Sequence, residues 1–159
     1  AGNAVTFTDR LSITSEGYVT KPNQPSFQCI KSGHHTFTSN TVTTIASWTE
    51  KHDVGNDFNA TTGVFTAPVT GKYYFYVSVM QQRGGNGDFQ LKIYKNGSLY
   101  VNSNDMNDAA TTTFQQTTVS AIVHLPLNDT VTFRTRNSTD TTSFIYQGAY
   151  THCGGYLIG

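Results

Sequence analysis

An all-β sandwich is the fold that this 159-residue sequence predicts, and three observations predict it. Threonine supplies 26 residues, and phenylalanine, tyrosine and tryptophan another 20; such side chains fit a pleated surface better than a helix. From Ser26 onward, short apolar runs alternate with Gly, Pro, Asn and Asp turns at a spacing of about ten residues, the rhythm of a sandwich or jelly roll. No stretch demands a helix, and none approaches the roughly 18 consecutive apolar residues of a membrane span.

Residues 1–24 carry only weak periodicity (Val5, Phe7, Leu11, Ile13) and run into Lys21-Pro22-Asn23-Gln24-Pro25. They read as an arm leading into one domain over residues 25–159, because a chain of this length builds a single core. The clearest strands are residues 72–80, 89–95, 117–125 and 130–135. Between them lie residues 84–87 (Gly-Gly-Asn-Gly), Asn96-Gly97 and residues 126–129 (Pro-Leu-Asn-Asp), where Gly, Asn or Asp takes positive φ at little cost.

The facing patterns say more than the strand positions. Phe89, Leu91 and Ile93 alternate with Gln90, Lys92 and Tyr94. Val131, Phe133 and Thr135 alternate in the same way with Thr132, Arg134 and Arg136, so both strands have one buried and one wet face. Residues 72–80 differ: Tyr73, Phe75, Val77 and Val79 form one face, while Tyr74, Tyr76 and Met80 make the other nearly as apolar. In residues 117–125, Val119, Ala121, Val123 and Leu125 share a face, with Ile122 and His124 on the reverse. A sandwich has one core, so a second apolar face needs another subunit, a ligand or the N-terminal arm to cover it.

Formal net charge is zero, and charged residues are 13% of the chain, about half the usual 25%. Nucleic acid and anionic membrane are therefore excluded as expected partners, since both need a basic patch. Catalysis is not expected either: there is no GxSxG, no HExxH and no Walker loop, and His34, His35, His52, His124 and His152 are scattered. His34-His35 is a weak metal candidate against a solvated turn. The segment from Asn104 to Asp108 has oxygen ligands suited to calcium but lacks the spacing of an EF-hand loop. Cys29 and Cys153 stand 124 positions apart with no CxxC spacing, which reads as one disulfide or two buried thiols. Four N-glycosylation sequons begin at Asn59, Asn96, Asn128 and Asn137. Together with an N-terminal Ala1 in place of Met, they point to export after removal of a leader.

Three runs then carry a resemblance: residues 53–59 (Asp-Val-Gly-Asn-Asp-Phe-Asn), residues 63–68 (Gly-Val-Phe-Thr-Ala-Pro) and residues 71–75 (Gly-Lys-Tyr-Tyr-Phe). With Pro25-Ser26-Phe27, residues 93–97, residues 127–131 and the terminal Gly155-Tyr156-Leu157-Ile158, they resemble, in order and spacing, the globular domain of complement C1q. Val77 departs from the pattern where a second aromatic is frequent, and Cys153 departs where Phe is usual; both changes are expected to alter packing near a subunit interface. No Gly-X-Y repeat is present, so a collagen stalk is not expected.

The resemblance implies a ten-stranded jelly-roll sandwich of the C1q/tumour-necrosis-factor type, trimeric, as a homotrimer or a heterotrimer of related chains. Tyr74, Tyr76, Met80, Ile122 and His124 would face the other subunits. It further implies a secreted lectin of innate defence, resembling the stand-alone C1q-domain lectins of bivalves, some of which prefer N-acetylated sugars. The alternative is a non-lectin extracellular interaction protein, either a cytokine-like receptor ligand or a calcium-associated matrix or fluid protein. No cofactor is required, though related trimers carry calcium. In this fold Cys29 and Cys153 lie on neighbouring antiparallel strands, which makes an internal disulfide reasonable and an interchain bridge its rival.

Strand order places the ligand site. Successive antiparallel strands gather the loops 81–88, 102–112 and 137–148 at one end, which collects Arg83, Asn86, Asp105, Asn107, Asp108 and Tyr146, groups able to hydrogen-bond a sugar and stack on it. The turns at Asn96 and Asn128 fall at the opposite end. The tyrosine-lined face between subunits is the competing location.

Overall fold

The computed structural model describes residues 11–82, 88–105, 114–138 and 143–159. Fifteen strand segments are found there, in chain order β1 (Ser12–Ile13), β2 (Val19–Thr20), β3 (Ser26–Lys31), β4 (His35–Thr36), β5 (Thr43–Thr44), β6 (Trp48–Val54), β7 (Phe58–Asn59), β8 (Val64–Thr66), β9 (Gly71–Gln82), β10 (Phe89–Lys95), β11 (Ser98–Asp105), β12 (Phe114–Leu125), β13 (Thr130–Asn137), β14 (Phe144–Ile145) and β15 (Gly148–Leu157). Thirteen of these, β3 to β15, lie within residues 25–159, where ten strands were expected. The two main sheets run β11-β10-β13-β8-β7, with β5 also on β13, and β4-β14-β9-β15-β3-β6, with β12 also on β9. A separate hairpin, β1-β2, occupies part of the segment expected to be an irregular arm.

Alternation fixes which faces meet. Tyr73, Phe75, Val77 and Val79 of β9 are fully buried, as are Phe89, Leu91 and Ile93 of β10, so the two sheets close on each other through the expected rows. Aromatic rings fill the centre: Phe27 stacks on Phe58 with centroids 4.3 Å apart, and Phe65 lies edge-on to Phe75 at 5.1 Å. Such pairs add about 0.5–1.5 kcal/mol each beyond the area they bury. The Asn96-Gly97 turn joins β10 to β11 with φ of 47° and 78°, positive at both positions as a two-residue hairpin requires.

One expectation needs correction. The reverse face of β10 and β13 is less wet than predicted, since Lys92 is 7% and Thr132 9% exposed; neighbouring strands flank both, and Arg134 lies over the Tyr94 ring at 4.3 Å. Val77 and Cys153, the two departures from the family pattern, are register partners with no exposed area, on the core face of the sheet.

Candidate functional site

The strands converge at the end expected to hold a ligand. Gln82 of β9 pairs with Phe114 of β12 and Phe144 of β14, while Phe89 of β10 pairs with Asp105 and Asn137. The backbone of Asp88 and Ser138 is joined there by a 3.0 Å bond from the Ser138 N–H to the Asp88 carbonyl. Of the six candidate ligand residues, Arg83, Asn86, Asn107 and Asp108 lie outside the described residues, and Asp105 is described through its backbone pairing alone. Tyr146 is in full view, inside an aromatic cluster that the sequence did not reveal. Its ring centroid is 4.8 Å from His34, 5.6 Å from Phe114, 6.0 Å from Phe144 and 5.6 Å from Tyr150. Met80, Phe114, Tyr146 and Tyr150 enclose a pocket of about 250 Å³. The Tyr146 N–H donates to the Met80 carbonyl at 2.7 Å, and the Gln147 N–H reaches His34 Nδ1 at 3.3 Å, which holds this corner to β9 and β4.

The pocket continues into a face. On the side of the seven-stranded sheet turned away from the core, the register aligns Tyr74 with Ile122 and Tyr156, Tyr76 with Ser120 and Gly154, Ser78 with Thr118 and His152, and Met80 with Gln116. Tyr74, Tyr76, Met80, Ile122 and His124 therefore share one face, as predicted. Tyr150, Tyr156 and Phe114, each about half exposed or more, extend it and went unnoticed in the sequence. Its polar seam is internally paired: the Ser78 and Thr118 hydroxyls are 2.7 Å apart, and Gln116 Nε2 donates to Ser78 Oγ at 2.7 Å. Tyr76 lies across Gly154, where a Cβ would come within 2.8 Å of its ring, so the glycine leaves the tyrosine room to lie flat. Burial holds the Tyr76 hydroxyl above its ordinary range and therefore neutral.

A family model for the C1q domain matches residues 26–158. The chain belongs to the C1q domain family. Among solved structures, this C1q domain is similar to the globular domain of the zebrafish complement 1qA protein (TM-score 0.62, 19% identity, covering 86% of this chain and 98% of that one). It is also similar to murine APRIL at pH 5.0 (TM-score 0.66, 14% identity, 85% and 99% covered) and at pH 8.0 (TM-score 0.63, 13% identity, 85% and 99% covered). At these identities the likeness is one of fold. A comparison with curated protein sequences finds no match.

The remaining candidates sort by their surroundings. Cys29 and Cys153 of the C1q domain are directly opposed on β3 and β15, both fully buried, and are free thiols, one of the two states the sequence left open. Burial, and then the contact with Cys29, push the Cys153 thiol well above the usual range, so Cys153 is not a poised nucleophile. His34 and His35 do not converge: His34 is exposed and stacks with the aromatic cluster, whereas His35 turns inward, with Nε2 3.0 Å from the Thr43 hydroxyl. Among the described residues, no three His, Cys, Asp or Glu side chains are placed to hold a metal ion. Most of the Asn104 to Asp108 calcium candidate lies outside them. Of the four sequon asparagines, Asn137 is set apart by burial, at 2% exposed.

Proposed function

We propose that this C1q domain is an extracellular, non-enzymatic recognition module that assembles as a trimer through the tyrosine-rich face and binds carbohydrate at the end where Tyr146 lies. One observation carries the reading: an apolar, aromatic face on a sheet whose other side already forms the core, continuous with an aromatic pocket at the convergence of three loop-bearing strand pairs. Exposing so much tyrosine, with Ile122 58% exposed, is costly in an isolated monomer, and covering it with other copies removes that cost. Tyr146 offers a ring face for a pyranose, and the polar residues of the adjoining loops supply hydrogen-bonding groups. A trimer multiplies a weak single-site affinity into avidity on a sugar-coated surface. N-acetylated sugars are the first to test, and calcium is an optional partner of the loops.

A glycan array probed with the purified trimer, alongside haemagglutination with sugar inhibition, tests the proposal. Agglutination abolished by a simple sugar supports it. An empty array together with saturable binding to a cell-surface protein would move the reading to the cytokine-like alternative, which the wholly aromatic and apolar lining of the described pocket also suits. No helix among the described residues is long and apolar enough to cross a membrane.

A further inference from the structure

We propose that Asn59 and Asn128 are the asparagines that carry N-linked glycan in the folded protein, and that the first N-acetylglucosamine lies in the cleft they share. The proposal rests on the extracellular reading above and adds to it which sequons are used and where the sugar sits. The sequence writes four sequons alike, and the fold treats them unequally. Asn137 is inside the sandwich, 2% exposed, on a strand paired with Phe89. A saccharide on its Nδ2 would have no room without moving whatever buries it. Asn96 is exposed, but its carboxamide ties two turns together: Oδ1 accepts the Thr130 N–H at 2.8 Å, and the side chain also hydrogen-bonds Asp129, which helps hold that carboxyl below its usual range.

Asn59 and Asn128 are both exposed. Asn59 Oδ1 accepts the Thr62 N–H at 3.0 Å, which fixes the plane of the carboxamide and leaves Nδ2, the atom that a glycan needs. Asn128 sits in a turn at φ 69°, held by a 2.9 Å bond from its own N–H to the Ala67 carbonyl, and its side chain is not needed to hold that turn. The two asparagines line one cleft of about 510 Å³ between the β7-β8 edge and the residue 126–129 turn, together with Asp57, Thr62, Thr66 and Pro68. That volume falls within the roughly 300–1,000 Å³ of small-ligand sites. Hydroxyl, amide and carboxylate groups beside a proline ring suit a pyranose, which offers polar edges and an apolar C–H face. The cleft lies at the end opposite Tyr146, so a glycan there leaves the proposed binding end open.

The modification is a group transfer. Nδ2 of asparagine forms a bond to C1 of the terminal N-acetylglucosamine of a lipid-linked pyrophosphoryl oligosaccharide. The C1–O bond to phosphate breaks, the lipid pyrophosphate leaves, and Nδ2 gives up one proton and keeps the other. Nothing is oxidised or reduced, and the donor is that of the eukaryotic secretory pathway.

The test is to secrete the full chain from a eukaryotic cell line behind a supplied signal peptide, purify folded protein from the medium and release glycans with peptide-N-glycosidase in ¹⁸O-water before peptide mass mapping. Label at Asn59 and Asn128 and none at Asn137 is expected; label at Asn96 or Asn137 with neither Asn59 nor Asn128 labelled overturns the assignment. Protein trimmed to a single N-acetylglucosamine should show nuclear Overhauser contacts from the acetamido methyl to Val64 or Pro68; a sugar with none refutes the seating. Because the signal is supplied, occupancy is read whether or not the native chain is exported. Export itself is tested separately, by where the protein is found in its source.

Discussion

Acid should loosen the end of the domain that carries the aromatic pocket, and His35 is the reason. It lies on β4, packed edge-on to Phe37 at 5.9 Å and bonded to Thr43, while Lys31, itself 3% exposed, faces it from β3. Burial first, and the Lys31 charge second, lower the His35 pKa from 6.5 to about 4. In the unfolded chain the ring takes a proton near pH 6.5; in the folded chain it does so only near 4. The unfolded state therefore binds more protons in between, and stability falls as pH drops from about 6.5 towards 4. At about 1.4 kcal/mol per pH unit the gap is worth at most about 3 kcal/mol, and about 2 with allowance for partial exposure. Denaturant titrations of the native protein and His35→Gln at pH 7.5, 6, 5 and 4.5 measure this directly. The native protein should lose about 2–3 kcal/mol more than the variant across that range. Amide exchange should quicken around Ile145, the register partner of His35, next to Tyr146. Parallel pH curves for the two proteins would refute the reasoning.

Four further outcomes follow from the same geometry. Cys29 and Cys153, opposed across an antiparallel pair, are at a separation a disulfide spans, and oxidation should join them within one chain; closing the intervening loop is worth about 5 kcal/mol by the chain-entropy model. Non-reducing electrophoresis with thiol titration checks this, and a dimer-sized band or two thiols surviving oxidation would overturn it. Gly63→Ala should cost at least about 2 kcal/mol, because Gly63 has φ 73° and an added Cβ would lie 2.3 Å from the Ile45 carbonyl oxygen; a melting temperature within a degree of native contradicts this. Ile122→Arg should yield folded monomer by sedimentation while keeping native circular dichroism, and a persisting trimer removes this face from the interface. Tyr146→Ala and Asp105→Ala proteins that remain trimeric should each bind an inhibitory sugar at least about tenfold more weakly, and unchanged affinity in both places the site elsewhere.

The parts of the fold legible in the sequence are those where alternation is undisturbed. β9, β10, β12 and β13 keep a regular alternation, and their core-facing rows were read correctly, whereas the reverse face of β10 and β13 was read as wetter than it is. β15 shows why others were not. Its residues Gly148, Gly154 and Gly155 carry almost no hydrophobic signal, because the volume is supplied from neighbouring strands: a Cβ on Gly155 would meet the Phe75 ring at 2.5 Å. The strand was recognisable by family resemblance and not by periodicity. Lys31 was equally hidden: a lysine reads as exposed, yet its Nζ donates to the Ser47 carbonyl at 3.0 Å and its stem is covered. At the candidate site, Tyr146 was chosen for its loop, but its neighbours His34 and Phe114 come from two distant parts of the chain, and only the folded register brings them to Tyr146 and Tyr150.

The position of β15 has a consequence for biosynthesis. This strand, which follows every other strand of the sandwich in chain order, is inserted between β3 and β9, pairing Cys153 with Cys29 on one side and with Val77 on the other. Until it emerges from the ribosome, β3 and β9 face an empty lane, and two strand edges stand open in the middle of the sheet rather than at its rim. Closure waits on contacts more than a hundred residues apart, which slows folding and leaves the nascent chain exposed to mispairing with others. The outward tyrosines of β9 are not flanked by Tyr156 until that moment, so the surface proposed to join subunits is completed only by the insertion of β15.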